Sequence, residues 1–213
     1  SGACVSAATA TLTVSGGVFT VLAGGTFTLT SQTAGGSASG TLTLNGGIFR
    51  CNADIRDGGG NATSAIILNG GTLDMTGQAI GPEAQHVDLF QALSGTLMNL
   101  GPFNDGAPLV KTGAATLTLA GTNTYSGATI VSNGTLRLTG PAPLPRSTAV
   151  YLVSGATALL DFTGTQTVHA VFINGAPKSA GVYGQSKLSP YLSGSGYLKT
   201  EWPPSASTVF TIR

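Results

Sequence analysis

Three short corners constrain this chain more than any other feature. Val14-Ser15-Gly16-Gly17-Val18-Phe19, Leu44-Asn45-Gly46-Gly47-Ile48-Phe49 and Leu68-Asn69-Gly70-Gly71-Thr72-Leu73 each place a glycine-containing turn between two apolar residues. Glycine supplies positive φ at such a turn without a Cβ clash. The corners open at residues 14, 44 and 68, a spacing that suits successive coils of a stack. The longer first interval holds the Gly/Ser-rich segment Ser31–Gly40, an excursion that need not disturb the coil. Asn-Gly pairs also favour antiparallel hairpins. The parallel coil is the better reading, because similar residues recur at similar spacing and would then lie above one another.

The central stretch Leu109–Leu138 repeats the logic more tightly. Thr116–Leu119, Ala128–Val131 and Thr135–Leu138 read as short strands separated by the Asn123–Gly127 corner and the Asn133-Gly134 turn. Period-two alternation puts Leu117, Leu119, Leu136 and Leu138 on one face, and Thr116, Thr118, Thr135 and Arg137 on the other. A lone unit of this kind cannot bury its apolar face, so it must stack on copies of itself.

Leu109, Lys111, Gly113, the strand Thr116–Leu119, Asn123-Thr124-Tyr125-Ser126-Gly127 and Asn133-Gly134-Thr135-Leu136 together resemble the autotransporter-associated β-strand repeat of passenger regions and large bacterial surface proteins. Leu160–Gly164, Val168–Gly175, Gly181–Tyr183 and Leu192–Leu198 resemble the closing module of verrucomicrobial and planctomycete-type members. The resemblance implies an all-β fold, a right-handed parallel β-solenoid exported to the cell exterior; it does not imply an enzyme activity. The expected organisation is solenoid coils over 1–140, a closing module over 141–200 and a tail strand in 201–213. Pro141, Pro143 and Pro145 interrupt the ladder between the first two.

Composition agrees with a hydroxyl-covered β surface. Charged residues are 8% of the chain, against about a quarter in an ordinary soluble domain. No apolar run approaches the roughly 20 residues of a membrane helix, so no membrane span is expected. A net charge of +1 without a basic run gives no footprint for nucleic acid. The chain starts at Ser1 without a signal-peptide core, which reads as a processed chain or a fragment. Cys4 and Cys51 are the only cysteines. In an exported protein an even count favours one disulfide, with two buried reduced thiols as the alternative.

Between the coils, Gln78–Phe90 breaks the pattern. Ala84, Val87, Phe90 and Leu93 have modest helical spacing behind Pro82 and Glu83, so a short helix and a wandering loop both fit.

Chemistry has few places to hide. Parallel β-helices can host polysaccharide lyases, which need acids for calcium and a base for the proton. Asp54, Arg56, Asp57 and Asp74 meet this loosely, but a solvated loop beside Gly58-Gly59-Gly60 is the better reading. His86 and His169 lack zinc spacing; His86 falls on the excursion and His169 reads as an outward strand residue. No nucleophile motif, phosphate loop or cofactor site is expected. Threonine pairs such as Thr11/Thr13, Thr41/Thr43, Thr116/Thr118 and Thr163/Thr165/Thr167 suit an exposed pleated surface. Stacked in register on one face they could order water and bind ice, or carry glycans or contact sugars, though the uneven spacing argues against an ice plane.

The expected function is a non-catalytic extracellular structural protein that binds copies of itself head to tail. Pro203 and Pro204 break the chain before Thr208–Ile212, whose Val209, Phe210 and Ile212 are the expected assembly residues. The rivals are a monomeric adhesin or passenger fragment binding surface glycans and, third, a polysaccharide lyase or hydrolase.

Overall fold

Alternating apolar and hydroxyl residues build long strands that bend at the glycine corners and stack in parallel. The computed structural model describes residues 7–31 and 37–201. Its first strands are β1 (Ala7–Val21), β2 (Thr26–Thr28), β3 (Ser37–Cys51), β4 (Asp54–Arg56), β5 (Thr63–Asp74) and β6 (Leu89–Met98). β1, β3, β5 and β6 pair in that order, all parallel, while β2 pairs with β4 on a separate side. The three corners stack residue for residue: Val14 beside Leu44 beside Leu68, and Phe19 beside Phe49 beside Leu73. Gly17, Gly47 and Gly70 have φ of +66°, +63° and +118°, the left-handed conformations that the turns require.

A fourth corner, Ala92–Leu97, joins these rows, with Ala92 beside Leu68 and Leu97 beside Leu73. Its Ser94-Gly95 turn and small Ala92 disguise it in the sequence. Beyond this corner each coil is made of two shorter strands. β7 (Leu109–Lys111) and β8 (Thr116–Ala120) both pair with β6, and β9 (Thr129–Val131) and β10 (Gly134–Leu138) follow on them. The three predicted central strands are therefore present to within a residue or two at their ends. Leu117, Leu119, Leu136 and Leu138 are buried, and Thr116 and Arg137 are exposed.

The stack continues through β11 (Ala149–Leu152) on β9 and β12 (Ala156–Leu160) on β10. β13 (Thr165–Val168) turns onto another side, and β14 (Ala170–Ile173) returns to pair with β11. The direction then reverses. β15 (Ala176–Pro177) lies antiparallel on β14, and β16 (Gly181–Tyr183) is antiparallel to a later strand, β18 (Tyr197–Thr200). Between them come one helical turn, α1 (Gln185–Leu188), and β17 (Leu192–Gly194), which pairs with β12; β18 also pairs with β13.

The protein is thus all-β, a curled and mostly parallel sheet with almost no helix. Its core is a pair of continuous rows. One contains Val14, Leu44, Leu68, Ala92, Val131, Leu152 and Ile173; the other contains Phe49, Leu73, Leu97, Leu119, Leu138 and Leu160. Each fully buried Leu or Phe contributes about 1.5–3 kcal/mol relative to exposure, so the rows are a large favourable contribution to folding. Gln78–Phe90 takes the loop option rather than the helix. Ile80 bridges Ile55 and Phe103 in parallel, which keeps the excursion in step with the coils, and strand resumes at Leu89.

Candidate functional site

The acidic residues singled out in the sequence do lie on neighbouring coils, but each is occupied. Asp54 accepts from the Ala79 N–H at 2.9 Å and pairs with Arg56 at 3.1 Å. Arg56 reaches on to Glu83 at 2.7 Å. Asp57 accepts from the Thr30 hydroxyl at 2.9 Å and the Gly59 N–H at 3.2 Å, and the Gly58 N–H donates to Thr30 Oγ1 at 2.7 Å. Asp74 accepts from Arg50 Nε at 3.1 Å, the Thr76 N–H at 3.1 Å and Asn99 Nδ2 at 2.9 Å. Asp57 and Asp74 are buried, at 8% and 6% exposure, not solvated as the sequence suggested. Their acceptors close the loops between coils, so burial follows from the hydrogen bonds they receive. Among the described residues no three His, Cys, Asp or Glu side chains converge as metal ligands.

A second cluster fastens the excursion. Asp105, on the turn Asn104–Gly106, accepts from the backbone N–H of Ala84 at 2.9 Å and of Glu83 at 3.3 Å. His86 Nε2 lies 2.8 Å from its carboxylate. The Ala84 N–H and then His86 hold the Asp105 carboxyl below the usual carboxylate range. Asn104 completes the clasp, accepting from the Val87 N–H at 3.0 Å and donating to the Val87 carbonyl at 2.9 Å. His86 is exposed on the excursion, as expected; His169 is exposed too, but at the bend between β13 and β14 rather than on a strand.

The polar residues of the central stretch explain its composition. Asn123 accepts from the Leu100 N–H at 2.8 Å and donates to the carbonyls of Ala120 at 3.1 Å and Pro143 at 2.9 Å. One side chain therefore ties three successive coils. Tyr125 is fully buried; its hydroxyl is 2.7 Å from Thr129 Oγ1, which is 3.1 Å from Thr148 Oγ1. Thr148 donates to the Gly127 carbonyl at 2.8 Å, closing the network. Burial pushes the Tyr125 phenol well above its ordinary pKa. A Cβ on Gly127 would lie 2.0 Å from the Ala107 carbonyl oxygen, so only glycine allows the coils to meet there.

Lys111 is the residue that sequence reasoning placed least well. It lies between Ala92 and Val131 in an otherwise apolar row and is 1% exposed. Its ammonium donates to the carbonyls of Gly113 and Asn133, the latter at 3.3 Å. Desolvation lowers its pKa. The open corner between β7 and β8 supplies acceptors that an apolar side chain would leave unmet.

Lys111, Asn123, Tyr125, Gly127 and Thr129 fall within one continuous stretch. Residues 109–138 match the passenger-associated-transport-repeat. In this repeat the motif residues are scaffolding: Lys111 satisfies a corner, Asn123 staples coils and Tyr125 fills the centre. The passenger repeat is a structural repeat rather than an enzyme family, and it points to an autotransporter-associated bacterial surface or secreted protein. No curated protein and no solved structure matches the chain.

Outside the passenger repeat, a depression of about 400 Å³ is lined by Gln185, Ser186, Gly194, Ser195, Gly196 and Tyr197, with no acid, histidine or lysine. The threonine rows are short. Thr11 and Thr13 stand beside Thr41 and Thr43, but Ala65 and Ile67 occupy the next coil. Among the described residues no helix is long and apolar enough to cross a membrane. Cys51 is fully buried and its thiol donates to the Ala53 carbonyl at 3.1 Å. Cys4, Val209, Phe210 and Ile212 lie outside the described residues.

Proposed function

We propose that the chain is a non-catalytic structural protein of the bacterial exterior, a closed right-handed parallel β-solenoid that self-assembles head to tail into a filament. The observation that carries this reading is the unbroken residue-for-residue stacking of the two core rows, running through a repeat of the passenger type. Such a stack buries its apolar face only against further coils, and heterologous contacts that do not close into a ring give fibres. The division into coils (1–140), closing module (141–200) and tail strand (201–213) belongs to this proposal. So do a Cys4–Cys51 disulfide and the assembly role of Val209, Phe210 and Ile212.

The buried acids favour a structural over a lyase reading, because Asp57 and Asp74 spend their lone pairs on backbone and neighbouring side chains. Electron microscopy with sedimentation of the purified chain tests the proposal. Filaments with an axial repeat of about 4.8 Å are expected. A monodisperse monomer would favour the glycan-binding adhesin instead, and cleavage of an acidic polysaccharide would overturn the non-catalytic assignment.

A further inference from the structure

The two ends of the described stack are built differently. At the C-terminal end the outermost strands are short, and β15 and β16 run against the others, with Pro177 on β15. At the N-terminal end stands β1, fifteen residues long, whose one partner among the described strands is β3. β1 contains no charged residue and no proline, so it lacks two of the usual protections of an edge strand, although its pairing with β3 is irregular at the Val14–Val18 corner. Several of its apolar residues are left uncovered, although Val14 is buried. Val18 is 63% exposed, Phe19 41% and Leu22, just beyond the strand, 76%, whereas Phe49 in the next coil is fully buried. Phe19 stacks on Phe49 with centroids 5.2 Å apart and ring planes at 4°, and among the described residues no second ring stacks on it.

The chain carries a segment that fits this edge. Val209-Phe210-Thr211-Ile212 repeats Val18-Phe19-Thr20-Val21 with one Val-to-Ile change. Like residues already stack here, Val18 beside Ile48 and Phe19 beside Phe49. The tail cannot reach its own β1. The described chain ends at Glu201, after β18, in the last coil, and β1, β3, β5, β6, β8, β10, β12 and β17 lie in succession between. That succession spans about 34 Å at ~4.8 Å per step. The residues from Glu201 to Thr208 extend over about 25 Å at most.

We infer that β1 is the acceptor edge for the tail of a second copy. Thr208–Ile212 adds as a parallel strand beyond β1, with Val209 against Val18 and Phe210 stacked on Phe19 as Phe19 is on Phe49. Backbone hydrogen bonds supply affinity, and the repeated Val-Phe-Thr order sets the register. This rests on the self-assembly reading and names its joint.

The test is a double-cysteine variant, Thr20→Cys with Thr211→Cys, oxidised and run on a non-reducing denaturing gel beside each single variant. Opposed residues of neighbouring strands fall within disulfide reach, and residues two positions out of register do not. A ladder of dimers and higher species is expected, and its loss in Thr20→Cys with Val209→Cys. Phe210→Asp, which leaves the stack itself unaltered, should abolish assembly, and Phe19→Asp should do the same in a chain whose circular dichroism is unchanged. Filaments that survive Phe210→Asp without the cross-link would overturn this joint while self-assembly stood. A cross-link confined to single chains would overturn the second copy as occupant. A wild-type chain that stays monomeric would overturn both.

Discussion

The ammonium of Lys111 lies 3.3 Å from the carbonyl oxygen of Asn133, inside a row otherwise built of Val, Leu, Ile and Ala. The contact joins the corners of successive coils, because Asn133 occupies on β9–β10 the place that Gly113 occupies on β7–β8. A charge is tolerated there because the corner carbonyls solvate it in place of water.

Lys111→Met should therefore cost stability although it keeps the volume and removes a buried charge. The loss expected is about 1–3 kcal/mol for carbonyls left without a donor. Lys111→Ala adds a cavity and should cost about 2 kcal/mol more. Thermal melting in the order wild type above Met above Ala checks this; a Met variant more stable than wild type would show that desolvation dominates.

Asn123→Ala removes one acceptor and two donor contacts from three coils at once, and about 3 kcal/mol is expected. Tyr125→Phe should be milder, about 1 kcal/mol, because Thr129 and Thr148 still bond each other. Chemical denaturation separates the two: equal midpoints would mean that the Asn123 contacts contribute no more than a single hydroxyl.

These polar contacts mark where the sequence stopped being readable. The rows were legible because alternation and glycine corners fix which side chains face inward, and Val14, Leu44 and Leu68 stack as their spacing suggested. The corner at Ala92–Leu97 was hidden because Ala and Ser replace the larger apolar and Asn residues. Lys111 was illegible as a buried group, since lysine is almost never fully buried and its acceptors come from another coil. The pairing of His86 with Asp105 and the reversal at β15 and β16 depend on long-range register that composition does not encode. The acids read as solvated because the donors that bury Asp57 and Asp74 are Thr30 and Asn99, each on a different coil.

Asp105 should titrate below the usual carboxylate value of about 3.9, since its folded form is held ionised by the Ala84 N–H and His86. A depressed folded pKa means a contribution fully present above the unfolded pKa and lost as pH falls through the lowered folded value. The excursion around Ala84 should then loosen only in acid. Carboxyl and amide chemical shifts of Asp105, Glu83 and Ala84 followed against pH provide the measurement; a midpoint at or above ~3.9 would contradict the clasp.

Cys51 should resist alkylation in the native protein whether it is paired or free, because burial blocks access and raises the pKa of a free thiol. Native labelling therefore cannot reveal whether it is joined to Cys4. Alkylation in denaturant without reductant can: no adduct is expected for the proposed disulfide, and two adducts would show free thiols.

The two rows have a consequence for how such a chain changes length. Residues between row positions vary from one coil to the next, as the excursion at Gln78–Phe90 and the loop at Gly58–Gly60 show, yet Leu44, Leu68 and Ala92 remain in line. Gain or loss of one whole coil would leave the apolar rows in line, while contacts between particular coils, such as those of Asn123, would need a matching partner. Duplication within the coding sequence thus adjusts the reach of the molecule in steps of about 4.8 Å without redesigning its interior.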